Sequence, residues 1–224
     1  MYTFDQHSPT VESWVPRQHS TPRALRTKVD FYLQRCIKFP EVAAFHSRAE
    51  LLHAALLESD PAVTSFIPQP LRFHLGSKIY VPDCYFVKNN QRVLREIKAP
   101  GQLQSFREKR LPLLESYCAF NQVKFELIVN DWVFEQEVLA ENWLRIVRNL
   151  ANAIDIATDN EEKTLYQKVG LNSGLSLGEI IDVGDREGSY REEIACFRLL
   201  HNGRLTADLT QHPLSYDTEF FLCT

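Results

Sequence analysis

The chain has 224 residues, 44% of them hydrophobic and 11% aromatic, with 25 Lys and Arg against 29 Asp and Glu for a formal net charge of −4. That length and apolar content bury an ordinary core in one domain or two. Five scattered cysteines without a Cys-x-x-Cys pair, histidines without ligand spacing, no apolar run near the roughly 20 residues of a membrane span and a polar stretch from Met1 to Thr10 argue against a disulfide framework, a zinc site, a membrane segment and a signal peptide, and point to a soluble intracellular protein.

Taken from the N-terminus, residues 24–39 place Leu25, Val29, Leu33, Cys36 and Ile37 on one face of an expected helix. Ser47-Arg48-Ala49-Glu50 has the form of a capping box opening a helix over residues 49–58, with Ser47 as N-cap and Glu50 reaching back to its amide. Residues 73–81 read as two strands around a Gly76-Ser77 turn, and Tyr85-Phe86-Val87 continues past a Pro82-Asp83 kink. After a turn at residues 88–91, residues 92–98 run as a strand to the breaker pair Pro100-Gly101.

The chemistry lies on that stretch. Alternate side chains of a strand share a face, so Glu96 and Lys98 point the same way while Ile97 turns into the core. If Asp83 leaves the neighbouring strand, its carboxylate converges with that of Glu96 on a hard cation such as Mg²⁺, which takes oxygen ligands. Lys98 then stands beside the attacking water, an arrangement suited to phosphodiester hydrolysis. The bland alternative is a turn aspartate and a solvent-facing Glu-x-Lys stripe. For Glu50 the alternative is a capping role alone.

Farther along, residues 104–120 are expected as a helix interrupted near Pro112, 123–130 as a strand and 135–151 as a helix with Val138, Leu139, Trp143, Ile146, Val147 and Leu150 on its core stripe. The polar run from Asp155 to Lys163 is taken as the junction between domains at 1–155 and 156–224. In the second, residues 175–181 and 190–201 read as helices, followed by strand-like segments at 203–209 and around Phe220, a winged helix-turn-helix order.

The succession of Ser-x-x-Glu, a helix ending in Glu-x-Asp-Pro (Glu58 to Pro61), Val63 with Phe66, Gln69-Pro70, Tyr-x-Pro-Asp (Tyr80 to Asp83) and Glu-x-Lys (Glu96 to Lys98) resembles the TnsA endonucleases, densest over residues 44–100. These are the nuclease partners in heteromeric transposases, including those of CRISPR-associated transposons. The resemblance implies an α/β, restriction-endonuclease-like (PD-(D/E)xK) mixed-sheet core with a small winged-helix-like C-terminal domain. It implies catalytic roles for Glu50, Asp83, Glu96 and Lys98, and metal ligation by Asp83, Glu96 and Ile97. It further implies Mg²⁺ as cofactor, with Mn²⁺ able to substitute, and double-stranded DNA at transposon ends as substrate. A TnsB-like transposase and a TnsC-like ATPase would be the partners, in the bacterial cytoplasm. Another nuclease of the same core, of junction-resolvase or restriction type, and an inactive nuclease-fold assembly module are the competing readings.

Charge divides unevenly. From Tyr166 onward five basic residues stand against nine acidic ones, a net −4, whereas residues 1–165 balance. A phosphate-neutralising face should be basic, so the C-terminal region is expected to meet protein. The DNA-facing candidates are the run Arg17, Arg23, Arg26, Lys28, Arg35 and Lys38 and, first among them, Arg107, Lys109 and Arg110 after the catalytic strand.

Overall fold

The computed structural model describes residues 9–223. Along the chain these fall into two compact units, residues 9–34, 38–54 and 62–135 in the first and 35–37, 55–61 and 136–223 in the second. The change of unit thus comes after Glu135, ahead of the polar run at Asp155. The architecture is mixed α/β. Among the described residues no helix is long and apolar enough to cross a membrane.

The first unit opens with strand β1 (Thr10–Val11), a single helical turn α1 (Arg23–Arg26) and paired strands β2 (Tyr32–Arg35) and β3 (Val42–Phe45). The helix expected over 24–39 is therefore confined to its first turn. Val29, Phe31 and Tyr32 favour an extended chain, and Leu33 is 62% exposed, so its spacing marked no core face; the Leu25 side chain lies outside the described residues. Helix α2 (Arg48–Ser59) follows Ser47, as its capping residues require.

Strands β4 (Val63–Pro68), β5 (Phe73–Leu75), β6 (Lys78–Tyr80), β7 (Cys84–Lys88) and β8 (Gln91–Lys98) come next. The β5–β6 hairpin turns at Gly76, whose φ of +62° a side chain would resist, and joins β1 in a three-stranded sheet. The bend at Pro82-Asp83 delivers β7 to a different sheet, so the expected continuation of one strand through that kink is instead a change of sheet. β7 and β8 form a tight hairpin in which Lys88 pairs Gln91 across Asn89 and Asn90, both at positive φ, as a type I′ turn demands.

The principal sheet has the order β4-β7-β8-β9, with β9 spanning Lys124–Val129. β4, β7 and β8 pair antiparallel, and β8 runs parallel to β9. A parallel neighbour needs a long crossover, supplied by α3 (Pro100–Lys109) and α4 (Leu111–Phe120). Pro100 begins α3 rather than breaking the chain, because proline lacks only an amide that a helix start leaves unpaired. The expected interruption falls at Arg110, two residues before Pro112. Leu94 and Phe125 on the sheet pack with Phe106, Leu114 and Cys118 of these helices and with Phe73 and Tyr80 of the hairpin. Helix α5 (Asn130–Phe134) completes the unit.

The second unit contains α6 (Glu137–Asn152), α7 (Asp159–Leu171), β10 (Leu175–Ser176), α8 (Leu177–Ile180), α9 (Tyr190–His201), β11 (Leu205–Ala207) and β12 (Glu219–Leu222). The polar run taken as the junction comprises the non-helical residues 155–158 and the start of α7, where Asp159, Glu161 and Glu162 complement the positive end of the helix. Its strands form an antiparallel sheet in the order β10-β12-β11. Buried Asn142 ties down the last loop, donating to the carbonyls of Leu209 and His212 and accepting from the Leu214 amide. Glu58, buried at the end of α2, accepts from the Ile37 amide at 2.8 Å and lies 2.7 Å from His201 Nε2.

Candidate active site

Glu50, Asp83, Glu96 and Lys98 all belong to the first unit, and the fold brings them together. Residues Cys84 and Arg95 are the last cross-strand pair of β7 and β8. Beyond that pair the ladder is continued by a side chain: the Ile97 amide donates to Asp83 Oδ2 at 2.7 Å. On the opposite face of β8 from Ile97, Glu96 and Lys98 form a direct ion pair, as their alternation requires. Glu96 is 1% exposed and Lys98 22%. The Tyr80 hydroxyl donates to Glu96 Oε2 at 2.6 Å, so both oxygens of this carboxylate receive donors.

Glu50 stands in the first turn of α2. The Ser47 hydroxyl accepts from the Glu50 amide and donates to Glu50 Oε1, while Oε2 takes the His46 amide at 3.1 Å and Gln69 Nε2 at 2.6 Å. The expected reach to the Ser47 amide is thus displaced by one residue, to His46. The cap and the site share one side chain. Gln69 is itself held in place: its own amide donates to the Asp83 carbonyl, and its φ of +40° before Pro70 is a conformation that ordinary side chains and the proline both disfavour.

Burial dominates the acid–base behaviour. It raises Glu50 from 4.5 to about 7, with Glu96 adding repulsion and Lys98 opposing. It lifts Asp83 well above its usual range, reinforced by Glu96 and Glu50. Glu96 is raised by burial too, while burial of Lys98 is outweighed by Glu96, Asp83 and Glu50, which hold the ammonium above its ordinary value. For the Glu96–Lys98 pair the two directions disagree, one favouring a neutral acid and the other an ion pair. Geometry favours the ion pair, because both carboxylate oxygens are occupied by donors and Lys98 reaches solvent. Tyr80, raised by burial and by Glu96, keeps its proton to donate.

Behind the carboxylates lies a cavity of about 10 Å³ lined in part by Glu50, His53, Asp83 and Ile97, room for one water-sized particle. Arg95 Nη1 approaches His53 Nε2 at 2.8 Å, and since arginine only donates, that nitrogen carries the lone pair and the ring is neutral. Burial and Arg95 hold His53 well below its usual value. Arg95 is itself fixed by Glu126 and by the Phe86 ring, 4.6 Å away.

Among the described residues no three His, Cys, Asp or Glu side chains form a ready ligand set, because the carboxylates turn to the donors just described. Their chemistry nevertheless fits a hard divalent cation. With Glu96 neutralised by Lys98, Asp83 and Glu50 supply two further buried carboxyl groups, and a dication compensates two negative charges there.

An open cleft of about 470 Å³ leads away from Lys98 and is lined by Lys78, Lys109 and Arg110 as well. Of the expected DNA contacts, Lys109 and Arg110 line it, whereas Arg107 and the earlier run Arg17, Arg23, Arg26, Lys28, Arg35 and Lys38 do not. Lys109 and Arg107 lie 200° apart around α3 at 100° per residue, so adjacency in sequence put them on different faces. Lys78, Gln69, His53 and the hydroxyl of Tyr80 were not assigned roles from sequence. His53 had a signal, three residues after Glu50 on one helix. Compared with protein families and with curated proteins, the chain matches no family model and no curated relative.

Metal-free stability should report the buried acid. Between about 4.5 and about 7 the folded chain holds a proton on Glu50 that the unfolded chain has released, so this group's contribution is present at low pH and is lost as pH rises through that window. Thermal unfolding in EDTA should show the loss for the native chain, and Glu50→Gln should flatten it. Glu50→Gln should also lower strand cleavage sharply without lowering thermal stability. A fully active variant would leave Glu50 a capping residue only.

Proposed function

We propose that the chain is a metal-dependent DNA endonuclease with a restriction-endonuclease-like core. The observation that carries this reading is the cluster of buried acids Glu50, Asp83 and Glu96 with Lys98 at the mouth of a basic cleft. Mg²⁺ held by Asp83, Glu96 and Ile97 would stabilise charge on the phosphate and activate water. The chain's own residues set up that chemistry. Asp83 is pinned to the Ile97 amide, so a carboxylate and a strand end move as one. Tyr80 and Lys98 fix the direction of Glu96. Lys98, kept protonated by its acidic neighbours, presents an ammonium where negative charge develops. Gln69 and the α2 cap hold Glu50 toward the same acids.

Within that class, the order of motifs supports a TnsA-like role, cleavage on the 5′ side of transposon ends together with a TnsB-like transposase and a TnsC-like ATPase. The acidic balance from Tyr166 onward supports a protein-binding part for the second unit, read as winged-helix-like from its helices and small sheet. The test is nicking of end-containing duplex by the full chain in the assembled reaction. Cleavage should require Mg²⁺ or Mn²⁺ and stop in EDTA; product formed equally in excess EDTA would remove the reading.

A further inference from the structure

We propose that the cleft formed by Lys78, Lys98, Lys109 and Arg110 seats the phosphodiester backbone of the substrate strand beside the scissile phosphate, an assignment that rests on the nuclease reading. The four cations come from separate elements: Lys78 from the β5–β6 hairpin, Lys98 from the end of β8, Lys109 from α3 and Arg110 from the break before α4. Among the described residues no carboxylate lines the cleft. The one acid of α3, Glu108, is instead bonded to Gln104. Gln102, Ser105, Phe106 and Lys109 follow a helical i, i+3, i+4, i+7 stripe, so α3 presents a polar and basic edge to the cleft above one buried aromatic.

Two rings orient the cations. Arg110 lies over Tyr80 at 5.7 Å and Lys98 over Phe106 at 5.6 Å. Tyr80 also donates to Glu96, so the residue under the cleft's arginine is the one that fixes the site's carboxylate. A run of cations along an open cleft, without acids and without apolar walls, matches a polyanionic backbone better than an enclosed small anion. Contacts of this kind position a strand without reading its sequence.

The test is duplex binding by the full chain, followed by fluorescence anisotropy across a salt series with EDTA present. Lys78→Ala and Lys109→Ala should each weaken binding on the order of threefold to tenfold at low salt and reduce the salt slope by about 1. Arg107→Ala, on the same helix but outside the cleft, should keep the native affinity and slope. Lys109→Glu provides a stronger form of the same change. Native affinity and slope in Lys78→Ala and Lys109→Glu, or an equal loss in Arg107→Ala, would overturn the assignment. Since cleavage is not read, failure of the nuclease reading appears separately, as nicking that ignores the metal.

Discussion

Asp83→Asn is expected to reduce strand cleavage by at least on the order of 10²–10³-fold while the protein folds at least as well without metal as the native chain. Asparagine keeps an acceptor for the Ile97 amide, so the end of the β7–β8 ladder survives. What disappears is a carboxyl group that burial, Glu96 and Glu50 already hold toward its protonated form. Removing it relieves repulsion in the metal-free state and takes away a charge that a dication needs. Circular dichroism and thermal unfolding check the fold, and end-nicking checks the activity. A variant that cuts at the native rate would show Asp83 to be only a turn and ladder residue.

The second large effect is expected at Lys98. Lys98→Met keeps much of the aliphatic stem but removes the ammonium that stands over the Phe106 ring, and cleavage should fall on the order of 10²-fold or more. Metal binding should persist, because Glu96 loses a competing partner rather than a supporting one. The separation of these two readouts is what distinguishes a charge acting on phosphate from a structural ion pair. Loss of metal binding, or an unfolded Lys98→Met protein, would make the lysine structural.

Much of the site was legible in the sequence because its geometry follows from local rules. The period-two alternation of β8 puts Glu96 with Lys98, and Ser47-x-x-Glu50 fixes the start of α2. The Asn89-Asn90 turn sets the β7–β8 register that brings Asp83 opposite the strand end. Features depending on distant contacts were not legible. Lys78 lines the cleft from a hairpin that pairs with β1 rather than with the main sheet. Gln69 closes on Glu50 from 19 residues away. Composition located the polar run at residues 155–163 but not the start of α7 within it at Asp159. The spacing of residues 25–37 imitated a helix where β2 forms. Because residues 35–37 and 55–61 group with the second unit, a cut at the expected junction after residue 155 is not a clean separation of units. It would remove α7 and α9 and strip part of the cover from α6.

If Asp83 and Glu96, with Glu50 beside them, hold a divalent cation, calorimetric titration of Mn²⁺ into the full chain will detect it without DNA or partners. Because Glu50 is raised to about 7 and Asp83 is raised as well, binding should displace protons. The measured heat should then depend on the buffer's ionisation enthalpy near neutral pH, and affinity should rise with pH. Asp83→Asn should lose the binding. Saturable Mn²⁺ uptake with proton release is expected of the native chain and not of Asp83→Asn; no uptake by the native chain, or identical uptake by both proteins, would show that these acids hold no cation.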